Sequence, residues 1–112
     1  MLCVPSSAES FGLIYFEAWR NRKPVVALDL PPLRELIGGC GGGVLVGERT
    51  TDKVAHAIIG LLRDPQARLT MGTNGESFAG EYTPDRVLDR IIGAYQASTA
   101  ELRSGVTGER AA

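Results

Sequence analysis

The sequence predicts an α/β fold: a short parallel sheet of about three strands, with helices on both faces and a helical C-terminus. Three observations lead there. Short apolar runs recur at Met1–Pro5 (MLCVP), Val25–Leu28 (VVAL) and Val44–Val46 (VLV). Helical patterning occupies the intervals between them. After the third run only helical patterns follow, with Pro65 and Pro84 as punctuation. Strand, helix, strand, helix, strand, then helices is the order of parallel strands joined by helical crossovers.

Met1–Pro5 stops abruptly at its proline and reads as a buried strand at or near a sheet edge, which invites association. Ser6–Glu9 is a polar loop. Ser10 is the candidate N-cap of a helix to about Asn21. Phe11, Tyr15, Ala18 and Trp19 follow the i, i+4, i+7, i+8 spacing, and Leu13, Ile14 and Phe16 fill the other side, so this helix is expected to be covered on several faces. Pro24 forces a stop. The β-branched run Val25–Leu28 suits a parallel strand buried on both faces. Asp29–Pro32 reads as a turn, Leu33–Ile37 as a short helix, and Gly38–Gly43 (GGCGGG) as a loop before the third strand. Thr51 or Asp52 caps a helix to about Arg63, with Val54, Ile58, Leu61 and Leu62 on one face. Asp64-Pro65 breaks it and opens another helix, to about Glu81, with proline at the favoured first-turn position. Thr83-Pro84 caps a last helix to about Glu101, with Val87, Leu88, Ile91, Ile92 and Tyr95 inward. The expected organisation is one domain over residues 1–102 and a flexible tail over 103–112.

Composition bounds the function. The 112 residues, 44% apolar and 22% charged, suit one modest soluble domain. The net charge is −1, from 12 basic and 13 acidic residues without a block of one sign, so there is no electrostatic case for nucleic acid or an acidic membrane. No apolar run approaches the ~20 residues of a transmembrane helix. The N-terminus lacks the pattern of a signal peptide. Cys3 and Cys40 form no CxxC motif and read as reduced structural thiols, consistent with the cytoplasm.

The stretch PSSAESFGLIYFEAW sets two glutamates eight positions apart around Gly12, at the carboxyl end of the first strand, where such folds bind ligands. On a helix from Ser10, Glu9 and Glu17 would lie ~12 Å apart along the axis on broadly similar sides. The free N–H groups near Phe11, Gly12 and Leu13 favour an anion, and Gly12 leaves room for close approach. Carboxylates accept from paired hydroxyls. A nucleotide sugar has the matching layout of sugar, diphosphate and ribose. By itself this spacing is a weak pattern and fits better a loop glutamate that helps cap the helix and an ordinary charge at its edge.

The ordered series PSSAESFGLIYFEAW, KPVVALD, LRELI, GVLV, RDPQARLTMG and FAGEYTPDRVLDRIIGAY resembles the C-terminal, donor-binding domain of retaining nucleotide-sugar glycosyltransferases with the GT-B fold, of family 4 type. The resemblance covers about residues 1–100 and implies a partial Rossmann-like domain. It implies that Glu9 contacts donor-sugar hydroxyls in the catalytic site, that the backbone from Ser10 through Phe11 and Gly12 to Leu13 lines sugar and diphosphate, and that Glu17 binds ribose. Glycosyl (hexosyl) transfer with retention, without cofactor or bound metal, is implied as well. A cytoplasmic enzyme compatible with peripheral membrane association is the expected setting.

Three positions depart from the family pattern. Pro31-Pro32 replaces a Gly-Gly turn and supplies no N–H. Arg22 replaces a glycine where a left-handed helix end would be strained. Trp19 stands where methionine is frequent. The acceptor-binding domain and the upstream donor-domain residues that meet the diphosphate have no counterpart in this sequence. A separately encoded N-terminal half is therefore a candidate partner. A truncated, non-catalytic remnant and an interaction module that uses its sheet edge are the alternatives. GGCGGG has neither G-x-G-x-x-G spacing nor a following Lys-Ser/Thr. His56 reads as a surface or boundary histidine, Glu35 as a helix-start charge, and Asp85, Arg86, Asp89 and Arg90 as a solvated face with weak local pairs.

Overall fold

The computed structural model describes residues 1–110, with side chains described to residue 105. The chain divides into two units, Met1–Gly80 and a second that starts at Glu81.

The first unit follows the predicted order: β1 (Leu2–Val4), α1 (Leu13–Arg20), β2 (Val25–Leu28), α2 (Pro31–Leu33) continuing into a π-helical turn (Arg34–Gly38), β3 (Gly43–Val46), α3 (Thr51–Arg63) and α4 (Pro65–Gly80). The strands are parallel in the order β1-β2-β3, with Leu2 opposite Val25 and Val25 opposite Gly43. β1 is thus an edge of this sheet, as its position in sequence suggests. β2 is buried at every residue. Alternation along it sends Val26 and Leu28 into one core with Val46 of β3 and Val54, Ala57 and Leu61 of α3. Leu62 does not belong to that face: it is 59% exposed, and Ala57 takes the place the sequence assigned to it.

The opposite core is aromatic. Tyr15, Phe16 and Trp19 of α1 are buried. Trp19 meets Phe16 and Phe78 edge-on at centroid distances of 5.4 and 5.8 Å. α4 reaches this cluster with small residues: Gly72, Gly75 and Ala79 are its buried positions. A Cβ on Gly75 would stand 2.0 Å from the Trp19 indole, so the glycine makes room for the ring. Gly75→Ala is therefore expected to lower stability by about 1–3 kcal/mol through overpacking, although alanine favours helices by about 1 kcal/mol. Thermal melts of this variant should recover most of the loss when Trp19→Met is added.

Several boundaries differ from expectation. The helical segment after β2 starts at Pro31, because Pro31 and Pro32 fill its first positions, where a missing N–H costs nothing. GGCGGG is not one loop. Gly38 to Cys40 continue the helical path, Gly41 turns with φ +68°, and Gly43 already pairs in β3. α3 is capped by Thr50, whose hydroxyl accepts from the Lys53 N–H at 3.3 Å.

The end of α1 bears out the expected strain. Arg22 has φ +52°, and among the described residues no other non-glycine residue has a positive φ. The Lys23 N–H donates to the Ala18 carbonyl and the Arg22 N–H to that of Trp19, the paired bonds of a Schellman helix end. The Arg22 guanidinium also meets Glu76 at 2.6 Å, an exposed pair that adds little.

The second unit is dominated by α5 (Pro84–Arg110), with the Thr83 hydroxyl accepting from the Arg86 N–H at its start. Val87 is half-buried, but Leu88, Ile91, Ile92 and Tyr95 are exposed rather than inward. Arg86 and Arg90 pair with Glu81, not with the aspartates beside them. The helix continues past the expected end near Glu101, and part of the expected tail over 103–112 lies outside the described residues. Among the described residues, no helix is long and apolar enough to cross a membrane.

Candidate functional site

The segment between β1 and α1 is built by two backbone-restricted residues. Pro5 ends β1, since it cannot donate to a ladder. Gly12 then adopts φ +77°, ψ +45°, and α1 begins at Leu13. Ser10 is therefore not the cap. Its N–H donates instead to Oε1 of Glu9 at 3.1 Å. Gly12 offers no side-chain cap, and only its carbonyl engages the first turn, accepting from the Tyr15 N–H at 3.0 Å. The leading N–H groups of α1 are left without an intrahelical acceptor, at the positive end of the helix dipole.

This start changes the relation of the two glutamates. Glu9 lies four residues before α1, in the loop, and is half-buried. Glu17 lies one turn inside the helix, not two, and is exposed. The helical rise does not extend to Glu9, so the expected axial spacing does not apply to this pair. Asn21 Nδ2 bonds the Glu17 backbone carbonyl at 2.9 Å, and among the described residues no side chain bonds the Glu17 carboxylate. α1 is covered on one side only: Leu13 and Ile14 face outward, Leu13 being 68% exposed, and Phe11 in the loop before it is more than half exposed. The Phe11 ring stacks on Phe16 at 5.6 Å, which fixes the backbone just before Gly12.

Gly12 has a different neighbour from the one expected. A Cβ there would stand 2.5 Å from Cδ2 of Tyr15, so the space it leaves is filled by that ring. Tyr15 is fully buried, and among the described residues its hydroxyl has no hydrogen-bond partner. Burial first, then the nearby charge of Glu9 and the Cys3 thiol, push the phenol above its ordinary range. Burial also raises the Cys3 and Cys40 thiols, and both are free.

Sequence reasoning missed a second feature at the carboxyl ends of the strands. An open groove of about 410 Å³ is lined by Pro5 after β1, Arg49 to Thr51 after β3, and Val54, Ala55 and Ile58 of α3. The signal was present in GERTT, which sets a basic residue, Arg49, three positions after the third strand. The groove shares only Pro5 with the glutamate segment. His56 is exposed on α3, bordering a second groove along β3 with Asp52 and Lys53. Among the described residues, no three His, Cys, Asp or Glu side chains converge as metal ligands.

The model of the family described as "Glycosyl transferases group 1" matches residues 1–78, the whole sheet with α1, α3 and most of α4. The chain belongs to that family. As a group 1 glycosyl transferase it resembles several curated proteins over part of its length. It is 39% identical over 67 residues to a phosphatidyl-myo-inositol mannosyltransferase of Mycolicibacterium smegmatis, covering 59% of this chain and 17% of that one. It is 40% identical over 65 residues to a D-inositol 3-phosphate glycosyltransferase of Frankia alni, covering 58% and 16%. It is 32% identical over 68 residues to an alpha-D-kanosaminyltransferase of Streptomyces kanamyceticus, covering 61% and 18%. This group 1 glycosyl transferase chain thus spans about a sixth of the length of the first two of these relatives.

Proposed function

We propose that the chain carries part of the donor site of a retaining glycosyltransferase of the GT-B, family 4 type, and grips a nucleotide sugar between Glu9 and Glu17. The observation that carries this reading is the uncapped start of α1, with a half-buried carboxylate in the loop before it and an exposed, unpartnered one a turn inside. The diphosphate sits over the leading N–H groups, where helix dipole and backbone donors favour an anion. Glu9 accepts from the sugar hydroxyls, beside the bond that breaks. Glu17 accepts from the ribose hydroxyls. As charge grows on the departing diphosphate, these fixed N–H donors stabilise it without reorganising. No resident metal or cofactor is invoked. The relatives' names differ in the group transferred, so the assignment is a glycosyl unit passed to an unassigned acceptor.

The remainder of the active site comes from outside the 112 residues, on this reading from an N-terminal half in the same or a separate polypeptide. The enzyme belongs in the cytoplasm, where sugar nucleotides are its substrates.

Calorimetric titration of the chain with UDP-glucose, GDP-mannose, UDP and GDP tests the reading. Glu17→Ala is expected to weaken both the sugar nucleotide and the bare diphosphate about tenfold, the equivalent of one charge-assisted hydrogen-bonding partner. Glu9→Ala should weaken only the sugar nucleotide. Equal responses from wild type and both variants would remove the assignment.

A further inference from the structure

The Tyr15 hydroxyl is the one buried side-chain polar atom left without a partner among the described residues. Buried hydroxyls are almost always satisfied, so this one calls for a partner. Its surroundings indicate which group. The ring lies directly beneath Gly12, 2.5 Å from where a Cβ would be, under the loop that carries Glu9. The Glu9 charge acts on the phenol, and Glu9 is itself half-buried. Only Oε1 of Glu9 is engaged, by the Ser10 N–H, whereas an ionised carboxylate can accept about four hydrogen bonds.

Building on the donor-site reading above, we propose that Tyr15 is a positioning residue: its hydroxyl donates to the Glu9 carboxylate when the donor is bound, so that tyrosine, glutamate and sugar hydroxyl form one hydrogen-bonded chain. A carboxylate on a loop, held by one backbone N–H, samples several rotamers. Anchoring one oxygen on a buried phenol aims the other at the sugar. A phenol donating to a carboxylate is a short, charge-assisted bond. Because burial and the Glu9 charge both raise the phenol's pKa, Tyr15 keeps its proton across neutral pH and remains a donor. Phenylalanine would fill the same volume under Gly12 without this function.

The test is calorimetry on wild type, Tyr15→Phe, Glu9→Ala and the double variant, with UDP-glucose and GDP-mannose compared with UDP and GDP. Tyr15→Phe is expected to weaken the sugar nucleotide about three- to tenfold, leave the bare diphosphate unchanged, and add nothing on top of Glu9→Ala. Its thermal midpoint should equal or exceed that of wild type, since the hydroxyl lost has no partner in the ligand-free chain. Sugar-nucleotide affinity unchanged by Tyr15→Phe but lowered by Glu9→Ala would overturn the role of Tyr15 and leave the donor site standing. A drop for both ligands alike, or a lowered midpoint, would mark a packing role and overturn it too. No effect of Glu9→Ala would remove the donor-site reading, and this inference with it.

Discussion

Trp19→Ala is expected to abolish most of the folded population of the first unit. The indole is fully buried and sits at the centre of an aromatic cluster with Tyr15, Phe16 and Phe78. Truncating a buried tryptophan to alanine costs about 3–5 kcal/mol. The indole N–H also donates to the Gly42 carbonyl at 3.0 Å in a buried setting, and leaving that acceptor unpaired adds about 1–3 kcal/mol. At roughly 0.05–0.15 kcal/mol per residue, a unit of this size has a total stability near the size of that loss. The family position tolerates tryptophan here because Gly42 and Gly75 present no Cβ to the ring, at 2.5 and 2.0 Å from where one would stand. Urea titration followed by tryptophan-independent circular dichroism reads the result. A midpoint within a few tenths molar of wild type would refute the central packing role of the indole.

Gly12→Ala is the second large effect, and it joins fold to site. The residue has φ +77°, a conformation that costs a non-glycine residue about 1–2 kcal/mol. Its Cβ would also strike the Tyr15 ring, and such overpacking adds about 1–3 kcal/mol. The expected loss is about 2–5 kcal/mol, with the Glu9 loop displaced from the helix start. A variant that melted like wild type would mean that the loop does not need this geometry. Gly12→Asn separates the two causes: asparagine tolerates the backbone angle but still carries the clash.

The sheet was legible because its physics is local. Four apolar residues between Pro24 and Asp29 leave little alternative to a buried strand, and β2 has the boundaries read from sequence. The caps of α3 and α5 followed from threonine hydroxyls within one residue. The start of α1 was misread because both Ser10 and Gly12 are plausible first positions. Packing of Tyr15 beneath a left-handed glycine decided between them, and no local rule sees that contact. The small face of α4 was equally invisible: Gly72, Gly75 and Ala79 become a pattern only once the Trp19 ring lies opposite them. Leu62 and the apolar residues of α5 failed for a related reason, since helical spacing shows that residues share a face without showing what covers it. At the site, the residue types and their order were readable, whereas the half-burial of Glu9, the exposure of Glu17 and the orphan hydroxyl of Tyr15 were not.

A co-crystal structure of the chain with UDP-glucose or GDP-mannose tests the donor assignment most directly. Ribose hydroxyls should lie within about 3.2 Å of the Glu17 carboxylate and hexose hydroxyls within the same reach of Glu9, with the diphosphate over the first turn of α1. Nucleotide bound in the Arg49 groove, or bound with neither glutamate in contact, would contradict it.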